Sequence, residues 1–368
     1  MKSLPLFVAA LLGGLCALPV HADPATPDQQ AKFLAGLSAE GPLAILGQES
    51  SWKEHSKEMV RAWAEVDKRQ ISKISEWMPQ VANHAYEDTS PLYYMFSGPD
   101  FLYAHAFFPN ATTTIMCGIE PVGPAPDAAA FSQEGRGASL RILRKSLDAV
   151  LSFSFFKTKD MKNDFQQTCF SGTLPVLYLF IAHAGGHIDS VETLWLNEKG
   201  EEVQEKAKVP GAKIVFHAGS GKSQTVYYFS SDLSNDGIKK TPAFITFCDR
   251  HGMGNSFAKA ASYLMHMGAF STVRDFLLTH SKTIIQDDSG IPYKYLKSEG
   301  WDIRLAGHYK GPIDLFKEDY QSDLADAFKA QPVQELPFSL GYRWHPKESC
   351  VMLATSVKGI PKAEPVKE

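Results

Sequence analysis

The chain has 368 residues, a formal net charge of −4 and a hydrophobic fraction of 44%. These values are typical of a globular protein with one large domain or two smaller ones, and they exclude an intrinsically disordered chain. The sequence contains no basic tract, so we expect no nucleic-acid partner.

Residues 1–22 have the three parts of a secretory signal peptide. Lys2 gives a positive start, an apolar run covers residues 4–18, and Val20 and Ala22 form a small-residue cleavage site. We therefore expect cleavage after Ala22 and a periplasmic or secreted mature protein. An uncleaved anchor is the first alternative, but the apolar run is short for a membrane span and is interrupted by glycine and proline.

No later apolar stretch is long enough to span a bilayer, so the sequence predicts no stable membrane insertion after cleavage. Lipid attachment at Cys16 is the second alternative to a cleaved leader. Leu15 argues against it, because a lipoprotein peptidase needs a small residue at that position.

Cleavage leaves four cysteines, and they are Cys117, Cys169, Cys248 and Cys350. An even number in an oxidising compartment permits two disulfides with three possible pairings. Cys117 and Cys248 lie in apolar runs, however, where free buried thiols are also common. The sequence alone does not decide between disulfides and free thiols at these four cysteines.

A long amphipathic helix is predicted over residues 51–77. It follows a polar lead-in with one short helix at 29–37. Its apolar residues, three tryptophans among them, recur near the 3.6-residue period, and Pro79 is expected to end it. We expect the tryptophan stripe to dock on the core.

The next segment is predicted to form a βαβ unit, because turn residues separate its apolar runs. Residues 92–96 are predicted as a buried strand, 97–100 as a turn that caps a helix, 101–108 as that short helix, and 112–118 as a second strand. Such a unit usually builds a parallel pair of strands with a right-handed crossover.

Two helices, 136–156 and 160–168, are predicted next, followed by segments with a two-residue period. These segments predict two successive hairpins, with strands at 174–183, 188–196, 213–217 and 224–230.

Helices and strands alternate in the last third of the chain. Helices are predicted at 257–267, 272–280 and 322–330, and strands at 283–285, 301–306 and 351–356. The whole pattern predicts a single α/β domain over 23–357, with α+β as the alternative. We expect a mixed sheet that contains hairpins and is flanked by helices, followed by a disordered tail over 358–368.

Two short patterns around residue 260 could carry nucleophilic chemistry. Ser256 and Lys259 fit the S-x-x-K spacing of enzymes that acylate a serine at a helix start. Ser262, Tyr263 and His266 would share one helical face with Lys259, so a base and a nucleophile could meet there. Both patterns are incomplete. The first lacks the partner motifs of the acylating enzymes in the required order, and no triad partner can be located for the second.

Neighbouring acids follow a predicted strand at Asp287 and Asp288. Carboxylates at a strand end can carry acid–base chemistry, and a simple turn is the alternative. Ser97 and Asp100, in the turn that opens the short helix, are candidate ligand-binding residues, together with Tyr293.

No cofactor or metal is predicted. His183 and His187 are four residues apart, but the glycines between them indicate a turn and not a metal-binding helix. Residues 219–223 are similar to the end of a phosphate loop, but they lie between two predicted strands and lack its first glycine.

Four phrases in the sequence are distinctive, and they lie at 96–104, 119–123, 286–293 and 336–343. Together they resemble a group of exported bacterial proteins with no assigned activity. The resemblance covers most of the mature chain, but it assigns no activity, cofactor or catalytic residue to it.

Two functions follow from these expectations. The first is binding of a small-molecule, glycan or protein ligand in an aromatic-lined cleft, for which Tyr93, Tyr94, Tyr103, Tyr293 and Tyr295 are candidates. The second is a cofactor-free hydrolase that uses Asp287 or Asp288 as base, together with His266 or a serine.

Overall fold

The computed structural model describes residues 23–153, 170–219 and 221–357. Its ten β-strands form one mixed sheet with helices on both faces, so the predicted α/β class is confirmed. The predicted signal peptide, helix 160–168 and tail lie outside the described residues.

The N-terminal part is helical. Helix α1 is Pro27–Leu34, α2 is Ser50–Val66 and α3 is Ser72–Tyr86, and a short π-helical stretch joins α2 to α3. The prediction that Pro79 ends the helix is wrong, since Pro79 lies inside α3. The helix bends at Ala82 and continues, because its buried face packs on the core on both sides of the proline.

The predicted βαβ unit is confirmed. Strand β1 is Leu92–Tyr94, helix α4 is Phe101–Phe107 and β2 is Thr113–Gly118, and the two strands pair in parallel.

The middle of the chain then supplies helices and antiparallel strands. They are α5 (Gln133–Phe153), α6 (Leu174–His183), β3 (His187–Leu196), β4 (Glu202–Val203), β5 (Val209–His217) and β6 (Ser223–Ser230). The hairpin of β5 and β6 is confirmed. The predicted strand at 174–183 is wrong, because this segment is the helix α6. Every residue from Leu174 to Ala182 is buried, and a continuous apolar run does not distinguish a buried helix from a buried strand.

Helices and strands alternate in the rest of the chain. They are α7 (Asn235–Lys240), α8 (Ala243–Arg250), β7 (Gly254–Ala258), α9 (Ser271–His280), β8 (Ser281–Gln286), α10 (Tyr293–Ser298), β9 (Asp302–Gly307), α11 (Ser322–Ala330) and β10 (Cys350–Thr355). The predicted helix at 257–267 is wrong. Its first residues belong to β7, which is buried between β1 and β8, and a 3-10 segment, Ala260–His266, follows.

The strands lie in the order β4-β3-β5-β6-β2-β1-β7-β8-β10-β9. Strands β6, β2, β1, β7 and β8 are mutually parallel, whereas β10 is antiparallel to both of its neighbours. Counted along the chain, the five parallel strands occupy the order third, second, first, fourth, fifth. This is the order of doubly wound nucleotide-binding sheets.

The direction of winding reverses between β1 and β7. Helix α4, which connects β1 to β2, packs in the apolar core on one face of the sheet. Helix α9, which connects β7 to β8, packs in the core on the other face. In sheets of this kind, ligands bind in the crevice at the carboxyl ends of the strands at such a reversal.

Candidate ligand-binding site

Two loops meet at the reversal point, one after β1 and one after β7. Among the described residues, the two non-glycine residues with positive φ lie here, Phe96 at 50° and Ala260 at 56°. Each stands two residues beyond the end of its strand. A side chain in this backbone region costs on the order of 1–3 kcal/mol, and such strain clusters at binding and catalytic sites.

A pocket of about 240 Å³ opens beside these loops, and we call it the switch-point pocket. Residues that follow β1, β2, β6 and β7 line it, so it lies at the carboxyl edge of the parallel strands. Its apolar wall consists of Phe96, Ile119, Leu233, Ala261, Leu264 and Phe270. Glu120, Ser231 and Asp232 contribute the polar side chains.

Glu120 is the buried acid of the pocket, with 4% of its surface exposed. The Tyr228 hydroxyl lies 3.1 Å from its Oε2 and 3.0 Å from its backbone oxygen. Gly118 leaves room for this carboxylate, because a Cβ there would lie 2.3 Å from Oε2 of Glu120 and 2.8 Å from the Tyr228 hydroxyl and would displace them. Gly98, with a φ of +53°, brings the backbone of the β1 loop to the same carboxylate.

The two loops are joined by a buried ion pair. Lys259 Nζ lies 2.7 Å from Asp100 Oδ2, and the two side chains are 2% and 1% exposed. The Tyr94 hydroxyl donates to the same carboxylate at 2.9 Å. Burial raises the pKa of Asp100, although the Lys259 charge acts in the opposite direction. The pair fixes the β1 loop relative to the β7 loop.

The predicted acid pair is buried next to the β7 loop. Asp287 accepts hydrogen bonds from the Ala260 N–H at 3.2 Å and from the backbone and hydroxyl of Ser289. Asp288 accepts from the Tyr263 hydroxyl at 2.6 Å. Burial, together with the neighbouring Asp287 charge, raises the pKa of Asp288 to about 7.

The other predicted site residues are divided between these two regions. His266 lies on the acid-pair side, with Nδ1 3.7 Å from an Asp319 oxygen, and burial lowers its pKa. The Ser97 hydroxyl bonds to the backbone of Gly98 and Cys117. The Tyr293 N–H donates to Gln321. Asp287, Asp288 and His266 are therefore brought together, whereas Ser97 and Asp100 belong to the β1 loop.

The helical arrangement expected around Ser256 is wrong. Ser256 lies in β7, where its hydroxyl bonds to the Ser281 hydroxyl at 2.6 Å, and Lys259 is engaged with Asp100. Tyr93, Tyr94 and Tyr103 are buried, so the aromatic part of the pocket wall comes from Phe96 and Phe270 instead.

Cys117, Cys248 and Cys350 are free and buried, and Cys169 lies outside the described residues. His183, one of the two histidines considered above as metal ligands, stacks on Trp63 with the ring centres 3.9 Å apart.

In the part of the chain that the structure describes, no group of three or more His, Cys, Asp or Glu side chains could hold a metal ion. The same part contains no helix that is long and apolar enough to cross a membrane.

Glu120 and the Lys259–Asp100 pair are the site features that the sequence patterns did not single out. Glu120 stands two residues beyond the end of the second strand of the predicted βαβ unit, and that position was the available signal. No family model, curated protein or solved structure matches the chain, so its function has to be inferred from the geometry of this site.

Proposed function

We propose that the protein binds a small ligand with a ribonucleoside moiety in the switch-point pocket. The observation that carries the proposal is Glu120, a buried acid at the end of β2 beside the pocket. In doubly wound folds, an acid about 20 residues after the turn that follows the first strand accepts a hydrogen bond from a ribose hydroxyl. Glu120 has this position relative to Gly98.

The shape and lining of the pocket support the same ligand. Its volume of about 240 Å³ lies below the range of about 300–1,000 Å³ that is usual for drug-sized ligands, which suits one nucleoside better than a dinucleotide. Ile119 is 64% exposed although it is large and apolar, and it stands next to Glu120. A planar base covering Ile119 would remove that apolar surface from water.

Calorimetric titration with a panel of ribonucleosides and their 2′-deoxy analogues tests the proposal. We expect ribonucleosides to bind more tightly than the deoxy forms. Glu120→Gln should weaken ribonucleoside binding by about tenfold or more, because a hydrogen bond to a charged group contributes about 1.5–3 kcal/mol. Glu192→Gln, at an exposed position of β3, is the matched control. Failure of every nucleoside to bind would refute the proposal, as would unchanged affinity in Glu120→Gln.

A cofactor-free hydrolase is the second candidate, and one observation favours it. The pKa of Asp288, about 7, suits a general acid or base at neutral pH, and His266 lies on the same side of the β7 loop. Asp288 is, however, only 7% exposed. Hydrolysis of ester, amide or glycosidic substrates that is lost in both Asp288→Asn and Asp287→Asn, but retained in Glu120→Gln, would favour this candidate over nucleoside binding.

A further inference from the structure

We infer that the nucleoside ligand has no phosphate on its 5′ side and carries a neutral or positively charged group there. This inference rests on the function proposed above and defines its ligand class. Three features of the site support it: the backbone of the β1 loop, the carboxylate at the start of α4, and the charge of the pocket wall.

Four positions of the β1 loop, Ser97 and residues 99–101, offer no free backbone N–H to a phosphate. Phosphate-binding turns direct free N–H groups at the anion. Here the Ser97 N–H donates to the Cys117 carbonyl at 2.8 Å, and the Asp100 N–H donates to the Ser97 carbonyl at 3.4 Å. The Phe101 N–H donates to the carbonyl of Pro99 at 2.8 Å, and Pro99 itself has no N–H.

The start of α4 already has a negative charge. The Asp100 side chain caps this helix by accepting from the Tyr103 N–H, and it is buried. A phosphate at this point would face a carboxylate. The nearby cation does not compensate for a second anion, because Lys259 is bonded to Asp100 and is 2% exposed.

The wall of the pocket is acidic. Glu120 and Asp232 line it, and no Lys, Arg or His is among its described lining residues. Both carboxylates can accept hydrogen bonds from hydroxyl or amino groups of a ligand. Such a wall attracts a cationic group and repels a phosphate dianion. For partly solvated charges a few ångströms apart, the difference in affinity between a cationic and an anionic ligand is about tenfold.

Three adenosine compounds test the inference with the full chain: 5′-amino-5′-deoxyadenosine, adenosine and AMP, whose 5′ substituents are cationic, neutral and anionic. We expect affinity to fall in that order, with about tenfold between the amine and AMP. The difference should shrink at high KCl, because salt screens the interaction. Asp232→Asn should also reduce it, and this variant keeps an oxygen that can accept the Ser234 N–H.

The outcomes separate this inference from the proposed function. If none of the three compounds binds and other ribonucleosides also fail, the proposed function is refuted. If AMP binds as tightly as adenosine or more tightly, the inference is overturned while nucleoside binding stands. A difference between the amine and AMP that is independent of KCl also overturns it, and that measurement needs no variant.

Discussion

Removing the charge of Asp288 should make the protein more stable at neutral and alkaline pH. The pKa of this carboxyl rises from an ordinary 3.8 to about 7 in the folded chain, first because of burial and then because of the Asp287 charge. A raised pKa means that the folded state holds the proton more tightly than the unfolded state. The free energy of unfolding is therefore highest below the unfolded-state pKa, and it falls as the pH rises toward the folded-state value.

The size of this loss follows from the shift. Each pKa unit corresponds to about 1.4 kcal/mol, so a shift of about three units lowers the free energy of unfolding by on the order of 4 kcal/mol between about pH 4 and pH 8. Asp288→Asn resembles the protonated acid, and its amide oxygen can still accept from the Tyr263 hydroxyl. The variant should match the wild type near pH 4 and exceed it by up to about 4 kcal/mol at pH 8.

Urea unfolding of both proteins across this pH range measures the effect. Asp302→Asn, at an exposed position of β9, controls for the loss of an aspartate as such and should follow the wild type. A constant difference between Asp288→Asn and the wild type at every pH would refute the reasoning. So would a variant that is less stable than the wild type at pH 8.

Three further predictions concern the loops and the leader. Lys259→Met leaves the Asp100 carboxylate buried without its countercharge, so urea unfolding should show a loss of about 3–5 kcal/mol in the free energy of unfolding. Adding Asp100→Asn to the same chain should restore most of that loss. Ala260→Gly relieves the positive φ and should raise stability by about 1 kcal/mol in the same assay; a loss would contradict strain at this residue. When the full chain is expressed in a bacterium, the predicted cleavage should give the intact mass of a chain that begins at Asp23, and a mass that includes residues 1–22 would contradict it.

Turn-forming residues between the apolar segments were sufficient to predict the βαβ unit. Gly98 and Pro99 break the chain between the apolar segments that become β1 and α4, so each element has a defined end. The position of the acid pair at a strand end could also be predicted, and Asp287 directly follows β8. In both places the residues that decide the structure are neighbours in sequence.

The errors at 174–183 and 257–267 have a common physical cause. Residues 174–182 and 254–258 are buried on all sides, the first in a helix and the second in a strand between two others. Neither has a solvent-facing side, so the alternation that distinguishes a helix from a strand is missing. The ion pair between Asp100 and Lys259 could not be predicted for another reason: the partners are far apart in the chain and meet only because β1 lies beside β7.

The sheet order explains why strain, charge and the pocket coincide. At the reversal point α4 and α9 lie on opposite faces of the sheet, and the switch-point pocket opens at its carboxyl edge beside the loops after β1 and β7. Each loop has one residue with an unfavourable φ, and the Lys259–Asp100 pair joins the two loops. Ala260 donates to Asp287 while its neighbour Ala261 lines the pocket. Asp287 therefore holds the backbone next to the pocket wall through a hydrogen bond that does not require its carboxylate to contact a substrate.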